Sequence, residues 1–160
     1  MSFKYIFPVL SLALLAYVVQ ATKVRTCPTF EGKLANESVS ISACDGPPCK
    51  LRKKSDVIVN IKFKPEKDIE KIITSVNMKL LGIPFPFIGV DGTSACDKLY
   101  ESDGKTKTKC PLVKGKEYVY QNSFKVLEIY PNVRGVVHWG LHDPAADKDT
   151  SCFEILAKII

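Results

Sequence analysis

Two histidines, His138 and His142, are the only imidazoles in this chain of 160 residues, so any Ser-His-Asp or Cys-His arrangement would have to draw on one short stretch. Period-two alternation around Trp139 turns His138 away from the Trp139 face, and both histidines are expected at the surface or rim. Asp143, Asp147 and Asp149 follow in one turn, where solvated carboxylates are the default. There is no Gly-x-Ser-x-Gly elbow, no His-Glu-x-x-His pair and no glycine-rich phosphate loop. No catalytic residue, cofactor or metal is expected. The remaining reactive side chains are Cys27, Cys44, Cys49, Cys96, Cys110 and Cys152. An even count behind an apolar leader reads as three disulfides in an exported domain; the same argument disfavours metal at the Cys-x4-Cys spacing of Cys44 and Cys49.

The leader consists of Lys4, an apolar run from Tyr5 to Val19, and Val19-Gln20-Ala21, which suits signal peptidase with cleavage after Ala21. A signal peptide is therefore expected over residues 1–21 and one domain over 22–160. The run is short, contains Pro8 and lacks a basic stop-transfer cluster, unlike a membrane anchor. The full chain has a net charge of +6, which loss of Lys4 reduces to +5. Lysines cluster at Lys50, Lys53 and Lys54 with Arg52, and again at Lys105, Lys107, Lys109, Lys114 and Lys116. A solvated face and a charged hairpin loop are the default reading; attraction to an anionic membrane or an acidic receptor is the other. An exported chain without a recognisable binding motif is not expected to bind nucleic acid. Asn36-Glu37-Ser38 is a sequon for N-glycosylation.

These residues are positioned by strands. Val57, Val59, Ile61 and Phe63 alternate with polar residues, as do Ile72, Thr74, Val76, Met78 and Leu80. Tyr118, Tyr120, Phe124 and Val126 share one register; Val133, Val137, Trp139 and Leu141 share the next; Phe153, Ile155, Ala157 and Ile159 form the last, and Val39, Ile41 and Ala43 suggest another near the start. Turn chemistry at Asp45-Gly46-Pro47-Pro48, Asp91-Gly92, Asp103-Gly104, Tyr130-Pro131 and Asp143-Pro144 separates them. No stretch has sustained helical amphipathicity, so the expected fold class is all-β, one antiparallel sandwich. Six cysteines allow fifteen pairings. Spacing favours Cys44 with Cys49 around a tight loop, Cys27 with Cys152 across the chain ends, and then Cys96 with Cys110 around the lysine-rich loop. The apolar segment Gly82-Ile83-Pro84-Phe85-Pro86-Phe87-Ile88-Gly89 is expected not to form a regular ladder because of its two prolines. Two readings of it stand, a plug over the core and the lip of an apolar cavity between the sheets.

That segment, the Cys-x4-Cys with prolines between, Cys110-Pro111-Leu112 followed by Gly115-Lys116-Glu117-Tyr118-Val119-Tyr120, and Tyr130-Pro131 leading to Val136-Val137-His138-Trp139 together resemble the Niemann-Pick type-C-two sterol-carrier family of ML lipid-recognition domains. The resemblance runs in order over essentially the whole mature chain. It implies an immunoglobulin-like sandwich splayed to hold a lipid, with disulfides Cys27–Cys152, Cys44–Cys49 and Cys96–Cys110. Ile41, Phe87, Val126 and Tyr130 would then surround the tunnel entrance, and Trp139 and Phe153 would line its interior. The strand registers independently turn Val137, Trp139, Phe153 and Ile155 inward. In two departures, the Cys96 to Cys110 loop is longer and more basic than in the vertebrate sterol carrier, and Lys125 replaces an apolar proline at the mouth.

The function expected from the resemblance is a secreted or endolysosomal carrier of sterol, such as cholesterol, or of a similar apolar ligand such as a fatty acid, acting as a monomer with transient contact to a membrane or a lipid-transfer receptor. The alternatives are recognition of a microbial glycolipid in innate immunity, a fatty-acid or semiochemical carrier, and a solid adhesion domain without a cavity.

Overall fold

The structure is a computed structural model, and it describes residues 21–32, 34, 38–42 and 44–160. The leader up to residue 20, Asn36 and Ala43 lie outside the described residues. In chain order the strands are β1 (Arg25–Thr26), β2 (Val39–Ile41), β3 (Cys49–Leu51), β4 (Asp56–Phe63), β5 (Ile73–Leu80) and β6 (Ile83–Pro86). They continue with β7 (Leu99–Glu101), β8 (Lys107–Thr108), β9 (Tyr118–Lys125), β10 (Arg134–Asp143) and β11 (Lys148–Ile159). A single 3-10 turn, Cys96–Lys98, precedes β7.

One sheet has the order β1-β11-β10-β5-β6, with β3 added to β11; the other has the order β2-β4-β9-β7-β8. All pairings are antiparallel except that of β3 with β11, which is parallel. Alternation decides which faces meet. In β4 the buried residues are Val57, Val59, Ile61 and Phe63, and in the facing sheet Val137, Trp139 and Leu141 of β10 and Phe153, Ile155 and Ala157 of β11 are buried with them. This is an all-β sandwich with the core between its sheets. Disulfides join Cys27 to Cys152, Cys44 to Cys49 and Cys96 to Cys110.

The apolar segment after Leu80 departs from the sequence expectation. Residues Ile83–Pro86 form an edge strand, with Met78 opposite Phe85 and Lys79 opposite Pro84. The Phe87 N–H donates to the Val76 carbonyl at 3.0 Å. By the two-residue period, Ile83 and Phe85 also turn their N–H groups toward β5, while Pro84 and Pro86 put their missing donors on the open edge. Two prolines of the same parity are thus compatible with a ladder at an edge, where they also block further strand addition. The hairpin turns at Leu81 and Gly82, with φ of 51° and 83°, the left-handed pair that a two-residue hairpin loop requires.

Candidate ligand cavity and the histidine cluster

Between the sheets lies an apolar void bordered by Ile41 of β2, Cys49 and Leu51 of β3, Val57 and Val59 of β4, Phe87, Phe124 of β9, Val137 and Trp139 of β10, and Phe153, Ile155 and Ala157 of β11. None of these side chains is charged. The free space amounts to about 20 Å3, room for one water molecule. Two wider depressions of about 430 and 650 Å3 lie toward the β10–β11 hairpin, but charged residues such as Lys62, Glu66, Lys67 and Asp149 line them. The inter-sheet void is smaller, yet its lining is the one matched to an apolar ligand.

Aromatic rings close and floor it. Phe87 meets Phe124 edge-on with ring centroids 5.7 Å apart and Tyr130 at 5.5 Å. The Tyr130 hydroxyl accepts the Ile88 N–H at 2.8 Å, which ties the β9–β10 connection to the β6 loop. At the inner side Trp139 lies 5.5 Å from Phe124 and stacks parallel to Phe153 at 6.4 Å. Outside the gate, Leu81, Ile83, Phe85, Ile88 and Ile129 are exposed.

Of the eight residues singled out from the sequence, Ile41, Phe87, Val137, Trp139, Phe153 and Ile155 border the void. Tyr130 is half-buried at the rim against Phe87. Val126 is fully buried and does not border the void. Its backbone instead bonds to Lys54 and Ser55. Val57, Val59 and Phe124 were present in the strand registers without being singled out. Leu51 had no signal, because Lys50, Arg52 and Lys53 surround it and only parallel pairing with β11 turns it inward.

The basic loop does not rim this mouth. β7 and β8, which carry it, pair at the Tyr118–Tyr120 end of β9, whereas Phe124 marks the mouth. About four to six residues of strand, roughly 13 to 20 Å, separate the two. Lys125 pairs with Asp56 at 3.4 Å.

Both histidines are half-buried. On the outer face of β10, His138 Nδ1 lies 3.4 Å from Cys27 Sγ and its side chain is only 14% exposed. Gly140 stands between the two histidines on that face, and a Cβ there would meet the Asp149 carboxylate at 2.9 to 3.0 Å. The missing side chain lets Asp149 close over the strand, 3.1 Å from His142 Nδ1 and 3.9 Å from His138 Nε2. Asp143 is also buried, ion-paired to Lys67 at 2.6 Å. Cys27, His138 and Cys152 converge as metal ligands would, but the two sulfurs are bonded to each other.

Burial is the main influence on His138 and pushes its pKa below 6.5; Lys79 acts in the same sense, and Asp149, Glu154 and Asp91 oppose. The unfolded chain therefore takes up this proton first as pH falls through about 6.5, and stability is lost from there down to the folded pKa. Melting temperatures of His138→Gln are expected to fall less between pH 7 and pH 5 than those of the parent protein. Equal slopes would refute the assignment.

The sequence profile of the ML domain matches residues 21–159. This chain belongs to the ML-domain family. The ML domain here is 31% identical over 140 residues to NPC intracellular cholesterol transporter 2 of Bos taurus, covering 87% of this chain and 84% of that one. The Danio rerio protein of the same name is 32% identical over 155 residues, covering 95% of each chain. The mite group 2 allergen Tyr p 2 of Tyrophagus putrescentiae is 32% identical over 126 residues, 79% of this chain and 82% of that one. Among solved structures, a Niemann-Pick type C2 protein from Japanese carpenter ant aligns with a TM-score of 0.68 at 26% identity, covering 86% of this chain and 98% of that chain.

Proposed function

We propose that this chain is a lipid carrier that takes a sterol or a similar apolar ligand between its sheets, shields it from water and releases it at a membrane or a receptor. The observation that carries this reading is the uncharged inter-sheet void closed by Phe87, Phe124 and Tyr130. Relatives named for cholesterol transport support the sterol arm. A ligand of roughly thirty heavy atoms at about 0.3 kcal/mol per atom gains about 9 kcal/mol, an affinity in the sub-micromolar to micromolar range. Lipid pockets of this kind measure roughly 300 to 1,000 Å3, so loading requires the sheets to part and Phe87 to swing away from its two ring partners. The bond from Ile88 to the Tyr130 hydroxyl is a polar contact that this opening would break. The exposed side chains beside the gate are where a donor bilayer would touch.

Residues 1–21 are read as a leader removed on export to the extracellular space or the endolysosomal lumen, and Asn36 as a glycan site on a monomeric mature chain. Disulfides fit that compartment.

The test is native mass spectrometry of the secreted, delipidated protein after incubation with vesicles containing equimolar cholesterol, oleic acid and a multi-acyl glycolipid. One-to-one uptake of sterol is expected, roughly tenfold slower for Phe85→Asp because a charge then faces the bilayer. Preference for the glycolipid would favour immune recognition, and an empty protein would refute the carrier. The same spectra read the mature N-terminus and any mass at Asn36.

A further inference from the structure

Two sulfurs and an imidazole meet on the outer face of the larger sheet. Cys27 directly follows β1, His138 lies on β10 and Cys152 on β11, so three separate segments bring them together. His138 Nδ1 is 3.4 Å from Cys27 Sγ and 3.6 Å from Cys152 Sγ. In a tetrahedral zinc site, with Zn–S of about 2.3 Å and Zn–N of about 2.0 to 2.1 Å, a sulfur and a nitrogen stand roughly 3.6 Å apart. Both distances from the ring nitrogen therefore already match those around a shared ion. What keeps an ion out is the bond between the two sulfurs. The Cα atoms of the pair are 5.5 Å apart, a spacing from which two freed thiolates about 3.8 Å apart can reach one tetrahedral ion. Cys27 and Cys152 are buried, so charge at the site must cancel. Two thiolates and a neutral imidazole carry two negative charges, which a divalent ion neutralises and a monovalent one does not. Glu154 Oε1 lies 3.9 Å from His138 Nδ1 but is held by Lys79 at 2.9 Å, which leaves the fourth position to water.

We propose that Cys27, Cys152 and His138 form a zinc site that opens when their disulfide is reduced. Two molecules of a small thiol supply the electrons: the Cys27–Cys152 bond breaks, the reductant's sulfurs join in its own disulfide, and its two thiol protons pass to the cysteines. Zinc then displaces those two protons from sulfur and takes the lone pair of the neutral His138 ring. The route to the sulfurs is β1, whose Arg25 and Thr26 are exposed and held to β11 by two register pairs. Lifting that short strand uncovers the bridge. Bound zinc restores the link between the chain ends that reduction removes, so the same residues fasten β1 to β11 in both redox states. The site lies on the outer face of the sheet, away from the inter-sheet void, and is independent of the lipid reading.

The test takes the folded, oxidised mature chain, treats it with a phosphine reductant, which adds no competing thiol, and titrates zinc chloride into the parent and into His138→Gln. Labelling with N-ethylmaleimide, followed by peptide mass spectrometry, reads each cysteine separately. One zinc per reduced chain is expected, with two protons released. Zinc should slow the labelling of Cys27 and Cys152 and leave Cys44, Cys49, Cys96 and Cys110 unchanged. His138→Gln is expected to weaken zinc by more than the roughly 10- to 100-fold that loss of an outer partner costs. Melting curves taken before reduction confirm that the variant folds. If reduction unfolds the chain, zinc is expected to refold the parent and not the variant. Equal affinity in parent and His138→Gln, shielding of the other four cysteines instead, zinc bound as tightly by the oxidised parent, or no zinc on the reduced parent overturns the site.

Discussion

Replacing both Cys27 and Cys152 by alanine is expected to lower the free energy of unfolding by about 5 kcal/mol, against about 2 kcal/mol for Cys44 and Cys49, in the chain-entropy treatment. The difference lies in the loops: the first bridge spans a sequence separation of 125 and the second only 5. Cross-linking the chain ends removes far more freedom from the unfolded ensemble than closing a turn does. The long bridge also holds β1 against β11, where Arg25 and Thr26 contribute only two register pairs. Native stabilities lie around 5 to 15 kcal/mol, so this single change can consume most of the margin. Denaturant unfolding of the two double variants under identical conditions measures it. A loss for the long bridge no larger than for the short one would show that native contacts around Cys27, not chain entropy, carry its effect.

Trp139→Ala is expected to cost about 3 to 5 kcal/mol and to abolish lipid uptake. Trp139 is 2% exposed and touches three aromatic rings from two strands, Phe124 and Tyr120 of β9 and Phe153 of β11. It is also the side chain through which the two sheets meet beside the void, so its loss enlarges the void at the expense of the packing that holds the sheets in place. Trp139→Phe keeps most of the volume and is the informative companion. It should retain the fold, with roughly 1 to 3 kcal/mol lost, and still take up cholesterol. Normal uptake by the alanine variant would mean that the ligand does not lie against Trp139.

The long strands were legible because their burial is one-sided. Val57 to Phe63 bury every second residue, as β10 does from Gly135 to Trp139, and a period of two survives in sequence whatever the partner strand is. The β6 hairpin was not legible. Its turn uses Leu81-Gly82 instead of an Asn-Gly or Asp-Gly pair, and its prolines argue against pairing until the strand is known to be an edge. His138 was expected at the surface or rim because alternation says only that it faces away from Trp139. That this outer face is covered depends on Cys27, 111 residues away, and on Gly140 admitting Asp149.

Asn122 was invisible for a related reason, since a polar residue in an apolar register reads as an interruption, and only the packed sheets show that it points inward. By itself the sequence determined the all-β class and the inward rows of β4, β10 and β11. These are properties of local pattern and composition. The tertiary structure alone decided that the void is nearly closed, that Val126 does not border it, and that the lysine loop lies toward the far end of β9. Those outcomes depend on contacts between residues distant along the chain, whose geometry no local periodicity encodes.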